Sequence, residues 1–473
     1  MKYIPLMIMA FLVGIAEAHC QKRPNIVLFI ADDLGAIDIP LYGNQLVKTP
    51  NLDKLGSESL TFTNAFASSP TCSPSRASIH TGMMPFRNGA HANHTGIKEN
   101  ILTLPAYLRG EGYKVAIAGK YHLGPMEAYP FEMVHGTNVA EPGHEGDGVL
   151  WTDLIMDPVD DWLSDASEEA DTPFMLVVND HSPHVFWPES PEYNASEVQI
   201  PTIHIDTEET RTARSKYYTD ITKMDRNVGR LMKILETRNL LTNTIFIFTS
   251  DQGPQWAFGK WSLYDYGIQV PLLVRWPGVI EEGRDTDALV SLVDLLPTII
   301  AATNGNVPSE PSKIDGKSFL PLLLGKTDKH REYIVASHTG DGDMNRSPMR
   351  MIRTKRYKYI LNIAPEVKYT THMDKAHPNE GYWKTWVEKS YLDEHAKAVL
   401  QRYHNHPTEE LYDMLADSDE TNNLAFNPLY QEIVKDLKTR LSKWREDQGD
   451  REIGPFDQKG NNSLSPGGPY IFK

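Results

Sequence analysis

Asn25-Ile26-Val27-Leu28-Phe29-Ile30-Ala31-Asp32-Asp33-Leu34-Gly35 decides the architecture. From Asn25 to Ile30 the run is apolar without alternation, so it reads as a strand buried on both faces, as in a parallel sheet. It ends in two adjacent carboxylates. Open α/β sheets bind ligands beyond the carboxyl ends of their strands, so Asp32 and Asp33 stand where a site would form. A solvated turn with a helix cap is the plainer reading of the pair.

Working outward, the same grammar repeats. Tyr113–Ala118 is a strand that runs into Gly119-Lys120-Tyr121-His122-Leu123-Gly124, where alternation sets Lys120 and His122 on one side of an extended segment. Pro173–Val178 is a third buried strand, ending in Asn179-Asp180-His181-Ser182-Pro183-His184. Thr244–Thr249 is a fourth, ending in Ser250-Asp251-Gln252-Gly253, and Val270–Val274 a fifth. Leu60–Asn64 reads as a further short strand. Helices are expected from Thr49 to Glu58, Leu102 to Gly112, Glu208 to Leu240 and Leu289 to Ala302. The long one carries Tyr217, Ile221, Met224, Val228, Leu231 and Leu235 at helical spacing, which marks core packing rather than a site. Gly136 to Gly148 reads as a surface loop. Alternation of strands and helices over residues 24 to about 325 makes this an α/β domain with a mainly parallel sheet flanked by helices.

Beyond Asn304 the grain changes. Tyr333–Ser337, Met349–Arg353, Tyr357–Leu361 and Glu410–Tyr412 are short strands, and Asn427–Asp447 is a terminal helix. The expected division is therefore a catalytic domain over 19–325 and a smaller α+β subdomain with an antiparallel sheet over 326–473, with the outer part of its polar, Gly-rich tail from Gly449 loosely held. Residues 1–18, with Lys2, the apolar run Ile4–Ile15 and Ala16-Glu17-Ala18, read as a secretory signal peptide cleaved after Ala18. The expectation is an exported protein, periplasmic or secreted, with no membrane span. A net charge of −16 argues against a nucleic-acid partner. Two cysteines, Cys20 and Cys72, make no disulfide framework.

Cys72 lies in Pro70-Thr71-Cys72-Ser73-Pro74-Ser75-Arg76-Ala77, at or just before a helix start, because Pro74 suits a first helical turn. There it reads either as a nucleophilic thiolate of lowered pKa or as a small buried residue without chemistry. The strand ends bring polar groups to one edge: Asp32 and Asp33, Lys120 and His122, His181 and His184, Asp251 and Gln252, with Lys260 in the following loop. Three carboxylates and an amide oxygen suit a hard cation, Ca²⁺ or Mg²⁺. Lys120 and Lys260 supply positive charge for an anionic transition state. His122 and His181 can exchange protons near neutral pH.

Cys72-x-Pro-x-Arg76, with Asp32-Asp33, Gly119-Lys120-x-His122, His181-x-Pro-His184 and Ser250-Asp251-x-Gly253, resembles the type I sulfatases of the alkaline phosphatase-like superfamily over nearly the whole mature chain. Tyr121–Pro125, Tyr129–Phe131, Ser347–Arg350 and Glu410–Asp413 bring it nearest the heparan N-sulfatase (sulfamidase)-like branch. The resemblance implies an alkaline phosphatase-like fold and conversion of Cys72 to formylglycine by a formylglycine-generating or sulfatase-maturating enzyme. It implies a hydrated aldehyde that attacks sulfur with one hydroxyl and expels sulfate by collapse of the other. It implies one Ca²⁺ held by Asp32, Asp33, Asp251 and Gln252 with the residue-72 diol. Arg76 and Lys120 would steady the diol, His122 would take the proton during collapse, and His181 and Lys260 would bind sulfate and assist the leaving oxygen. Gln252 departs from the usual Asn or His, and Gly253-Pro254-Gln255-Trp256 follows the general carbohydrate-sulfatase pattern.

The implied substrate is a sulfated polysaccharide or its oligosaccharides, algal (such as ulvan) or glycosaminoglycan. Alternatives are an N-sulfoglucosamine sulfohydrolase, a phosphoesterase or phosphonate hydrolase on the same scaffold, and a catalytically silent sugar-binding protein. His91, His94, His184, His338 and Arg346 are placed in loops that rim the cleft as substrate contacts, or as solvated loop residues. Trp256 and Trp261 either stack on sugars or pack beneath their loop.

Overall fold

β1 (Asn25–Ala31) lies inside an eight-stranded sheet and is buried at every position. A computed structural model of the chain describes residues 23–140, 151–168, 172–303, 305, 314–375 and 381–456. The other strands of the sheet are β2 (Leu60–Phe62), β3 (Lys114–Gly119), β4 (Glu132–Val134), β5 (Phe174–Asn179), β6 (Thr244–Ser250), β7 (Leu272–Arg275) and β8 (Arg284–Thr286). They lie in the order β8-β2-β7-β6-β1-β5-β3-β4. β7 runs antiparallel to both its neighbours, β6 and β2, and the remaining pairings are parallel.

Register is what builds the site. Ala31 pairs with Ser250, Ile30 with Asn179, and Gly119 with Asn179. Four carboxyl ends therefore finish on one line, and the residue that follows each strand emerges at the same edge. The apolar runs of β1, β5 and β6 are buried on both faces by helices. The stripe from Tyr217 to Leu235 on helix Glu208–Thr237 is fully buried in that core.

β9 (Ile334–His338), β10 (Met349–Arg353), β11 (Tyr357–Asn362) and β12 (Glu409–Asp413) form a separate antiparallel sheet in chain order. Helix Gln431–Gln448 packs Val434, Leu437 and Leu441 against Ile352, Tyr359 and Leu411 of this sheet. Lys358 joins the two units, its Nζ lying 2.7 Å from both Asp265 and Glu420.

Several expectations are corrected. The helix expected from Leu289 begins at Leu295, after a two-residue strand (Val290–Ser291) and a 3₁₀ turn. Asp294 stops it from starting earlier: it accepts from the Ser291 N–H in a capping box and is also held by Arg331 and His330. The Gly136–Gly148 loop contains a strand, Asn138–Ala140, paired with Trp151–Leu154; residues 141–150 lie outside the described residues. Helices Asp157–Glu168, Tyr382–Ser390 and Glu394–His404 were not expected. The inner part of the tail is tied down as far as Phe456, since Asp450 is gripped by Arg350 and Arg445, each at 2.7 Å, and Phe456 is buried; the outer part expected to be loose falls outside the described residues. The signal peptide, Cys20 and residues 457–473 lie outside the described residues. Among the described residues no helix is long and apolar enough to cross a membrane.

Candidate active site

Cys72 is the first residue of helix Cys72–Thr81, and Arg76 follows one turn later on the same face. Every residue of this helix is buried. The Cys72 Sγ lies 3.7 Å from Asp32 Oδ1, 3.9 Å from Asp33 Oδ1, 3.8 Å from Lys120 Nζ and 3.3 Å from Gln252 Nε2. Arg76 Nε donates to Asp251 Oδ2 at 2.9 Å, and its Nη2 stands 3.5 Å from Asp32. Lys120 pairs with Asp32 Oδ2, and Lys260 donates to Asp33 Oδ2 at 2.8 Å. Asp251 Oδ1 accepts from the backbone N–H of both Asp33 and Gln252, so β1 and β6 lock each other's ends. The Gln252 amide donates to Asp33.

Lys120 and His122 reach the cleft by turns rather than by alternation, which corrects the extended-segment expectation. The chain leaves β3 through Gly119, at φ +80°, where a Cβ would stand 2.0 Å from the Asn179 carbonyl oxygen. Only glycine fits there. His122 is itself left-handed at φ 41°. Lys120 then points to Asp32, while His122 Nε2 meets His94 Nδ1 at 3.3 Å.

Burial governs the titration of these groups. It pushes the Cys72 thiol up to about 12, against the pull of Lys120 and Lys260. So high a value leaves little thiolate near neutral pH, which weighs against the thiolate reading. Burial raises Asp33, and raises Asp251 to about 7. Asp32 is buried too, but Lys120, His184 and Arg76 together hold it well below the usual carboxylate range. Burial, seconded by Lys120, takes His122 well below its ordinary value and His181 to about 3. Neither ring titrates near neutrality as expected; burial keeps both in the neutral form.

The donor set fits a hard divalent cation. Asp32, Asp33 and Asp251 are fully buried. Oxygens of Asp32 and Asp251 cluster with the Cys72 Sγ within 4.8 Å, as do an Asp33 oxygen, the Cys72 Sγ and a His184 nitrogen. Gln252 Oε1 is buried without a hydrogen-bond partner. A half-turn of the amide would exchange it with Nε2 beside Asp33, a position that suits an oxygen only when a cation neutralises the pair. Asp32, Asp33 and Asp251 are matched by Arg76, Lys120 and Lys260, so a divalent cation would leave the cleft with two positive charges for an anionic substrate.

His181 and His184 are both at this site, their rings 4.8 Å apart and His184 Nε2 3.5 Å from Asp33. His94 is there as well. His91 is not: it is buried, stacked on Phe86 at 5.0 Å and 3.7 Å from Glu452. His338 lies in β9 rather than a loop and is buried, and the exposed Arg346 donates to the Phe456 carbonyl oxygen at 2.8 Å. Trp256 is core, stacked between Trp187 and Tyr382. Trp261 is buried and donates to Asp341 Oδ2 at 2.8 Å.

Three supporting residues had no motif to announce them. Asp180 accepts from Asn227 Nδ2 at 2.7 Å and from the Ser182 N–H at 3.0 Å, which shapes the loop carrying His181 and His184. Asn93 and Asp341 pair at 2.9 Å behind His94. Only the position of Asp180 after a strand hinted at the first.

The sulfatase family model matches residues 24–305, more than half of the chain. The chain belongs to the sulfatase family. A second family model, the C-terminal region of N-sulphoglucosamine sulphohydrolase, matches residues 253–402. This sulfatase is 32% identical to an ulvan-active sulfatase of Formosa agariphila, over 91% of this chain and 81% of that protein. It is 27% identical to human N-sulphoglucosamine sulphohydrolase, over 94% of this chain and 95% of that one. A solved structure in complex with its substrate D-glucosamine-2-N,6-O-disulfate superposes with a TM-score of 0.67 at 22% identity, covering 91% and 99% of the two chains. A phosphonate monoester hydrolase of Agrobacterium radiobacter superposes equally well, at 0.67 and 19% identity over 90% and 96%, so the fold is the alkaline phosphatase-like one and is shared across chemistries. Family membership makes this sulfatase a sulfuric ester hydrolase, and sulfatases as a family use formylglycine and a metal ion.

Proposed function

We propose that this sulfatase removes sulfate ester groups from a sulfated polysaccharide or its oligosaccharides, outside the cytoplasm after cleavage of residues 1–18. The observation that carries the reading is the setting of Cys72: a buried, inert thiol touched by two carboxylates, a lysine and an amide. No thiol chemistry suits that place, whereas conversion to formylglycine by a maturating enzyme supplies a hydroxyl nucleophile that can later let sulfate go. Asp32, Asp33, Asp251 and Gln252 would hold Ca²⁺ together with residue 72, and the cation would polarise the anionic ester.

The chain's own residues do the rest. Arg76 and Lys120 orient the residue-72 oxygen and hold its charge. His122, neutral and facing the cleft, accepts the proton when sulfate is expelled. Lys260 neutralises the sulfate oxygens and assists the departing sugar oxygen, with the neutral His181 as a hydrogen-bond partner and His184 beside them. The catalytic work falls within residues 19–325, and the C-terminal unit closes one side through Asp341.

Matches to ulvan-active sulfatases favour an algal polysaccharide. The C-terminal family match favours a second reading, an N-sulfate of glucosamine. Sulfate release from a panel of defined ulvan and heparan oligosaccharides separates them, with parallel phosphate and phosphonate esters. Faster phosphate or phosphonate turnover would refute the sulfatase reading of the site.

A further inference from the structure

The hairpin that joins β9 to β10, residues 339–348, reaches the cleft wall at Asp341. Asp341 Oδ2 accepts from Asn93 Nδ2 at 2.9 Å and from Trp261 Nε1 at 2.8 Å. The Gly340 carbonyl oxygen accepts the Asn93 backbone N–H at 3.1 Å. Both partners stand next to working residues. Asn93 Oδ1 accepts the N–H of Ser73, the residue after Cys72, at 3.4 Å. Trp261 follows Lys260, donates its backbone N–H to the Pro70 carbonyl oxygen at 2.9 Å, and has the Lys260 Nζ 5.3 Å from the centre of its ring. Trp261 also has a φ of 70°, which a residue with a Cβ keeps only where its surroundings impose it.

The hairpin cannot hold this position by its own packing. Its tip, Thr339-Gly340-Asp341-Gly342-Asp343, offers no apolar side chain. The chain beyond the terminal helix supplies what is missing. Phe456 is 4% exposed whereas Ile453 is 93% exposed, so the segment turns this one ring inward. The ring lies against Gly340, where a Cβ would stand 2.3 Å from Phe456 Cδ1, so the close approach needs glycine. The Phe456 N–H donates to the Arg346 carbonyl oxygen at 3.1 Å, and Arg346 Nε donates to the Phe456 carbonyl oxygen at 2.8 Å. Glu452 accepts from Thr339 Oγ1 at 3.3 Å. Arg350 is fully buried and ties the two segments at their roots. Its Nε donates to Asp450 at 2.7 Å, its Nη1 to the His338 carbonyl oxygen at 2.6 Å, and its Nη2 pairs with Glu452.

We propose that Asp450–Phe456 is a strap that positions residue 72 and Lys260 through the hairpin and Asp341. Asp450, Glu452 and Phe456 are positioning residues, since none is among the groups around Cys72. Phe456 and Glu452 hold the hairpin, the hairpin holds Asn93 and Trp261, and these fix the start of the Cys72 helix and the Lys260 loop. Small displacements of reacting groups are costly to rate, so the speed of sulfate release depends on a segment outside the catalytic domain. The inference rests on the roles proposed for residue 72 and Lys260.

The test is steady-state kinetics of the full matured chain, well below its melting midpoint, with kcat expressed per folded molecule carrying formylglycine. Phe456→Ala should lower that kcat by about 10-fold or more, and Phe456→Leu, which refills most of the space, should stay within about threefold of wild type. Hydrogen exchange in Phe456→Ala should quicken over residues 91–95 and 339–346 and stay unchanged in helix Glu208–Thr237. Asp341→Asn should be slowed comparably, and adding Phe456→Ala to it should cost less than about twofold more, because both act along one route. If Phe456→Ala does not fold, Glu452→Gln decides the matter, with an expected loss in kcat of at least about threefold. The strap is overturned by a kcat within about twofold of wild type in the variant that decides, by losses that multiply in the double variant, or by unchanged exchange in both loops. Cys72→Ala separates the two layers. Full activity there would sink the reading of the site and the strap with it, whereas an inactive Cys72→Ala beside a fully active Phe456→Ala would sink the strap alone.

Discussion

Arg76→Met removes one charge from a balanced, buried set while keeping most of the side chain's bulk. Arg76 is 1% exposed and touches Asp251 at 2.9 Å and Asp32 at 3.5 Å. Without it three buried carboxylates face only Lys120 and Lys260. Breaking a buried ion pair from one side costs about 3–5 kcal/mol, because the orphaned charge stays desolvated. Equilibrium urea unfolding of the whole chain in excess chelator should show that loss as a lower midpoint at unchanged slope. Asp251→Asn placed in the Arg76→Met background deletes the orphan and should return about 2 kcal/mol, a coupling expected between groups in direct contact. A single-variant loss below about 1 kcal/mol, or a double variant no more stable than the single one, would show that Arg76 does not balance these carboxylates.

Other outcomes follow from the same geometry. Cys72→Ala should abolish sulfate release while leaving the melting profile intact, and the unconverted thiol, held at about 12, should alkylate at pH 8 about 10³-fold more slowly than a free cysteine. Chelation should abolish turnover and lower the melting midpoint, Ca²⁺ should restore both, and Gln252→Leu should require at least about tenfold more Ca²⁺ for the same melting shift. Gly119→Ala, at φ +80° with a Cβ 2.0 Å from the Asn179 oxygen, should cost at least about 2 kcal/mol and displace Lys120, read as a fall in kcat. Asp294 is buried, yet Arg331 and His330 hold it at about 2; its contribution of about 2 kcal/mol is full above pH 4 and lost as pH falls towards 2, a step that Asp294→Asn should remove from the acid unfolding curve.

Much of this arrangement can be read from the chain because burial on both faces leaves a mark. β1 and β5 are apolar at nearly every position and β6 through its middle, Ile245–Phe248, and polar residues begin abruptly where the sheet edge meets the cleft. Direction leaves no such mark. β7 is as buried as the parallel strands of the sheet, and nothing in Leu272–Arg275 says that it runs the other way. Helices Tyr382–Ser390 and Glu394–His404 hide for another reason: they bury aromatic residues, Tyr382, Trp386 and Tyr403, among charged ones, and bind chiefly to each other and to helix Glu208–Thr237. The cleft residues next to strands were legible and the loop histidines were not. His91 and His94 are three residues apart, yet one turns inward onto Phe86 and the other faces His122. That choice depends on Asp341, 248 positions beyond Asn93, which only the folded loop brings into place.

The burial of Cys72 also sets a schedule. The cleft around it cannot close until β6 has docked on β1, a pairing that joins Asn25 to Thr244. Parallel pairings of such long range are slow to form, so residue 72 stays on an open chain for much of the folding time. Once the sheet is complete the side chain is 2% exposed, within a helix whose residues are all buried. A second protein that needs the extended segment must therefore act before that moment. On the proposed mechanism the active fraction of a preparation is decided by a race between conversion and folding, and molecules that fold with the thiol intact keep it.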